Sequence, residues 1–197
     1  MEMFVLDEEV VRLEGALLFS QGQTRLEILI PLLSYLRQRD PQRARNLVQE
    51  AQGLLRQMAI SGPLTQRYQA RIDITSAEIQ WLAGELESAQ TLARRALQLF
   101  LSLGDAQGCA DAHWLQAWLA FSQGNDAIRD AELALFLFYS ERAGDLMRVP
   151  IAQAQMTFFA ALSDSYKVCV KPGELDYLQA EKSLPVAAVM YDYWGVS

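Results

Sequence analysis

A turn signature recurs at a fixed interval in this chain of 197 residues. Gly84-Glu85 and Gly124-Asn125 stand forty residues apart, and so do Leu103-Gly104-Asp105 and Ala143-Gly144-Asp145. Periods of about 20 to 50 residues belong to stacked architectures, in which each unit buries its apolar face against the next. Whatever lies between these turns must be a unit of that kind.

Between the turns the apolar spacing is helical. Ala89, Leu92, Ala93, Ala96, Leu97, Leu99, Phe100 and Leu103 recur at three- and four-residue steps, with Arg94 and Arg95 off the stripe. Gly104 reads as a left-handed helix stop, Asp105 as the next N-cap, and Asn125 as the cap after Gly124. Asp40-Pro41 is a helix start, with Asp as cap and Pro at the first helical position. The segment 26–36 is apolar on most sides, which predicts broad burial, and Pro31 predicts a kink or a helix that starts at Leu32. After Ser61-Gly62-Pro63 a helix runs to Ala83; its β-branched centre, 72–76, admits a short strand as the lesser reading. Pro150 belongs in the first turn of a helix ending at Leu162. Beyond Ser163 the pattern changes, with a Lys171-Pro172-Gly173 turn signal and an aromatic stretch at 189–194. A repeat domain over residues 1–163 is expected, followed over 164–197 by a helical cap or the start of a linker.

Hydrophobic residues make up 51% and charged residues 21%, the balance of a globular chain. The net charge of −7 lacks the basic excess that neutralises phosphates, so nucleic acid is not an expected partner. No apolar run approaches the ~18 residues of a membrane span. The first fifteen residues have no basic region ahead of an apolar run, so neither membrane insertion nor secretion is expected. Of the two cysteines, Cys109 and Cys169, the first sits in a helical pattern as a small apolar residue. A reduced, cytoplasmic setting is the corresponding expectation.

Aligning the helices that follow the stops superposes Ala44, Leu47, Ala51 and Leu54 on Ala89, Leu92, Ala96 and Leu99. This pattern resembles the second helix of a tetratricopeptide repeat, where small residues mark close helix crossings. Ala77 and Ala117, each seven residues before a turn glycine, resemble the small residue of that family's first helix. The period of forty exceeds the family's ~34, as in longer bacterial relatives. Asp73 and His113 stand where the family has a bulky residue, and Arg129 stands where Ala89 predicts alanine. The resemblance covers about residues 24–163. It implies an all-α fold, a right-handed superhelix of antiparallel helix hairpins whose first helices line a concave groove.

On that resemblance the groove presents Arg71, Ile74, Glu78 and Trp81, then Asp111, Trp114, Trp118 and Phe121, then Ala154 and Phe158. It implies a non-enzymatic scaffold that binds a partner peptide or protein segment, with Arg71, Glu78 and Asp111 supplying selectivity. The alternative it implies is the sensory or regulatory input domain of a larger bacterial signalling protein, such as a transcription activator or a cyclic-nucleotide synthase. Trp114, Trp118 and Phe121 share one helical face, a spacing that serves binding anchors and core packing equally. His113 is the only histidine, and neither a triad nor a zinc site can be assembled around it from two distant cysteines. Acid clusters such as Asp7-Glu8-Glu9 fit helix starts, and there is no glycine-rich phosphate cradle. No catalytic residue, metal or cofactor is therefore expected. Arg37, Arg39, Arg43 and Arg45 cluster at the Asp40-Pro41 turn, either as a solvated turn or as a site for an acidic partner. The apolar 26–36 helix at one end of the array suggests a homodimer.

Overall fold

The computed structural model describes residues 7–58 and 62–167, which form helices without a strand. In chain order these are α1 (Asp7–Leu17), α2 (Gly22–Arg39), α3 (Pro41–Gln57), α4 (Pro63–Leu82), α5 (Leu86–Leu103), α6 (Ala106–Ser122), α7 (Asp126–Arg142) and α8 (Arg148–Lys167). The residues past Lys167, including most of the expected cap or linker over 164–197, lie outside the described residues. Helix α8 itself runs through the boundary expected at residue 163.

The turns repeat in hydrogen bonds as they do in sequence. Glu85, Asp105, Asn125 and Asp145 each donate a backbone N–H to the carbonyl five residues back, on Gln80, Phe100, Ala120 and Ser140. The bond closes only if the intervening residue is left-handed, and Gly84, Gly104, Gly124 and Gly144 supply φ of 81°, 64°, 70° and 64°. Asp105 then accepts from the Gly108 amide at 2.8 Å and Asn125 from the Ile128 amide at 3.2 Å, each capping the helix that follows. The unit is thus one helix and one turn per twenty residues.

Successive helices pair as hairpins, α2 with α3, α4 with α5 and α6 with α7. The first helices also touch one another, α2 with α4 and α4 with α6, whereas α3, α5 and α7 make no mutual backbone approach. Cross-links fix the first helices as parallel. Tyr68 near the start of α4 donates to Glu27 near the start of α2, and Trp81 at the end of α4 donates to Ser122 at the end of α6.

The interior is continuous because α4 faces two ways. Tyr68, Ile72 and Ile79 join the cluster of α1, α2 and α3, while Ala70, Ile74 and Ala77 join the cluster that extends to α8. Residues 71–79 are all buried, so β-branched side chains find partners on every side and the short strand considered for 72–76 does not form. Thr75 and Ser76 donate back to the carbonyls of Arg71 and Ile72, which satisfies their hydroxyls inside the helix. Nor does a helix begin at Leu32: α2 starts at Gly22 and carries Pro31 inside it. Leu26, Leu29, Leu32 and Leu33, all 0% exposed, hold both sides of the proline in one helix. Burial of roughly 1.5–3 kcal/mol per side chain outweighs the ~3 kcal/mol cost of an interior proline. Leu13 and Leu17 of α1 lie in the same cluster, so the apolar helix that suggested a homodimer is covered within the chain.

Candidate functional site

An aromatic seam crosses the ends of three first helices. Trp81 closes α4, and its ring lies 6.5 Å from Trp114 and 5.9 Å from Trp118 of α6. Trp118 continues the seam to Phe121 at 5.8 Å and to Phe159 of α8 at 5.4 Å. Exposure rises along α6, from Trp114 at 8% to half-buried Trp118 and Phe121 at 40%. The face is therefore core at one end and open at the other.

Phe158, expected on this face, is 41% exposed on a neighbouring flank of α8, and Phe159, 1% exposed, takes the place beneath Trp118. The forty-residue offset carries into the start of α8: Asp145 accepts from the Arg148 amide at 3.0 Å as Asp105 does from the Gly108 amide at 2.8 Å, and Phe158 stands forty residues after Trp118. Ala154 is half-buried on the same side of the helix as Phe158.

The charged candidates lie within the frame. Arg71, 9% exposed, donates to Asp111 at 2.7 Å and to Asp105 at 2.8 Å, and its guanidinium stands 4.7 Å above the Phe100 ring. Gly108 makes that arrangement possible, since a Cβ there would come within 2.2 Å of Phe100. Asp111 also receives Arg148 of α8 at 2.6 Å, and Arg148 in turn bonds Asp145. Burial alone would raise the Asp145 pKa, but the amide and guanidinium of Arg148 and the amide of Gln107 hold it down to about 2. Glu78, 5% exposed, accepts from Arg37 at 2.5 Å and from Gln38, tying α4 to α2. Arg71 and Asp111 are thus brought together, and Glu78 is held apart from them.

Pairings between the two helices of a hairpin were hidden in the sequence. Asp73, 0% exposed, receives the Arg95 guanidinium of α5 at 2.6 and 2.5 Å. Forty residues on, His113 meets Glu132 of α7 at 2.6 Å through Nδ1 and stacks on Tyr139 at 5.2 Å. The place the repeat family fills with a bulky side chain is filled here by a polar pair. Arg129 is 2% exposed, and its guanidinium lies 4.5 Å over the Phe159 ring and bonds Asp126 and Asp130.

The basic cluster at the first turn is partly spent on ion pairs, Arg37 to Glu78, Arg39 to Asp7 and Arg43 to Glu14. Arg45 lines a cleft of about 670 Å³ between α3 and α5, floored by Ser76, Ile79 and Gln80 of α4. Burial, reinforced by Asp105, pushes the Cys109 thiol up to about 11, so it is not a ready nucleophile. Among the described residues no three His, Cys, Asp or Glu side chains form a group that could hold a metal ion, and no helix is long and apolar enough to cross a membrane. No family model, curated protein or solved structure matches the chain.

Proposed function

We propose that this chain is a tetratricopeptide-like interaction scaffold, a right-handed superhelix of hairpins whose first helices line a shallow concave face. A segment of a partner protein binds there against Trp81, Trp118 and Phe121. The observation that supports this reading is the half-open aromatic seam, set on helices whose positions are fixed by buried ion pairs. Large aromatics that are anchored on one side and open on the other offer contact area at little cost in side-chain ordering. Arg71, Glu78 and Asp111 position the helices that carry the seam; their charges are met inside the chain.

The test begins with peptides selected by display against the intact protein. Phe121→Ala, at a side chain 40% exposed, should weaken a selected peptide about tenfold, in line with ~1–2 kcal/mol for an interface aromatic, and leave the melting temperature unchanged. Leu101→Ala, on the second helix of the preceding hairpin and 50% exposed, should do neither. Peptides that bind with equal affinity to both variants would sink the assignment of the seam.

A further inference from the structure

Helices α5 and α7 hold equivalent places in consecutive hairpins, and the same positions are buried in each. These are Ala89, Ala93, Ala96 and Phe100 in α5, and Arg129, Leu133, Phe136 and Ser140 forty residues on. The outer faces correspond position by position as well. Glu87, Ser88, Thr91, Arg94, Arg95 and Gln98 are exposed on α5, and every one of them is polar. At the matching exposed positions α7 has Ala127, Ile128, Ala131, Ala134, Leu135 and Phe138, and every one of them is apolar. Helix α3 sides with α5: with Ala44 set on Ala89, the same places begin with Gln42, Arg43, Asn46, Gln49 and Glu50. Among the described residues α7 packs on α6 and α8, and neither covers Ile128, Leu135 or Phe138, which are 51%, 40% and 50% exposed. A helix apolar on most sides is one that is buried on most sides, and a contiguous exposed apolar face marks a surface of interaction.

We infer that the outer face of α7 binds an amphipathic helix of a partner protein whose apolar side is bordered by lysine or arginine. The shape of the face asks for a helix. Ala127, Ala131 and Ala134 make a shallow row beside Ile128 and Leu135, so a second helix can lie close and be held by the larger side chains. The flank next to the alanines sets the sign of the charge. It carries Asp126 and Asp130, whose side chains are 66% and 62% exposed, and exposed Glu141. Arg129, which bonds both aspartates, is itself only 3% exposed, so among the described residues Arg142 at the far end is the one exposed cation of α7. Apolar contact supplies the affinity of such a face, and the acidic rim selects which helices settle on it. A second copy of this chain fits less well, because it brings the same acidic flank and a further net charge of −7.

Two labelled peptides test this on the full chain by fluorescence anisotropy. One is a helix of roughly five turns with leucine and alanine on one side and lysine on the other; the second has glutamate in place of lysine. The lysine peptide should bind about tenfold more tightly than the glutamate peptide, or better. Phe138→Gln and Ile128→Ser give α7 the residue types that α5 carries at Gln98 and Ser88, so the fold tolerates them and the melting temperature should hold. Each should weaken the lysine peptide about tenfold. Phe121→Ala should leave that affinity unchanged, so this reading and that of the aromatic seam fail separately. The inference is overturned if neither peptide binds, if both bind equally, or if Phe138→Gln costs no affinity. It is also overturned if sedimentation shows a dimer that Phe138→Gln dissolves, which would put a second copy on the face. Finally, in a Cys169→Ser background, a Leu135→Cys thiol that alkylates far more slowly than Leu101→Cys in the monomer would show the face already covered within its own chain.

Discussion

The junction between α2 and α4 and the junction between α6 and α8 solve one problem in opposite ways. At the first, backbones approach within 8 Å between Cα atoms, and Glu78 closes the contact with Arg37 and Gln38. At the second, no Cα pair comes that close, and long side chains span the gap. Arg148 reaches Asp111, Phe159 reaches Trp118, and Arg129 lies over Phe159. Arg129 occupies the place that alanine takes at Ala89, where the backbone of α5 must come close. A departure from the repeat pattern thus marks the place where the spacing of the array changes.

That contrast can be broken by substitution. Glu78→Ala leaves Arg37 buried without its carboxylate, and removing one partner of a buried pair costs about 4 kcal/mol. The urea midpoint, followed by tryptophan fluorescence, should fall for the whole chain, because α4 contributes to both core clusters. A cost below ~1 kcal/mol, the range of surface pairs, would show that the pair does not hold this junction. Phe159→Ala should cost about 3 kcal/mol through the cavity it leaves. Its damage should be local, with hydrogen exchange rising in α8 and not in α2–α4. Equal loss of protection in α2 would mean that the wider junction is as cooperative as the close one.

Much of the array was legible before any coordinates, because a glycine turn needs only local chemistry. Gly84, Gly104 and Gly124 declare left-handed stops, and Asp40, Asp105 and Asn125 declare caps within three residues of the amides they bind. What stayed hidden depends on partners from other helices. Asp73 and His113 were visible as departures, but Arg95 and Glu132 are 22 and 19 residues away, beyond any helical pairing rule. The same is true of Glu78, whose partners in α2 lie forty residues upstream. The burial of Phe159 under Trp118 was hidden too, since adjacent aromatics at 158 and 159 leave the choice to the packing of α8 against its neighbours. Of the two readings at Pro31, the start at Leu32 fell because the rule for interior proline is local, and four fully buried leucines keep both sides of it in one helix.

The smallest effect sharpens the contrast by pH. Asp145 belongs to the wide junction, through Arg148 and then Asp111, and its folded pKa is held at about 2 against an ordinary 3.8. A carboxyl depressed on folding contributes its stability in full above the unfolded pKa and loses it as pH falls toward the folded one. The window is therefore about pH 4 down to pH 2, and the contribution lost is about 2 kcal/mol. Other carboxylates titrate over the same range, so the informative quantity is the difference between the native chain and Asp145→Asn. Above pH 5 the variant should be the less stable of the two by urea midpoint, and the gap should close by pH 2. A gap that stays constant with pH would mean that the acid at Asp145 serves as a helix cap, which asparagine replaces poorly, and that its charge does not tie α8 to the array.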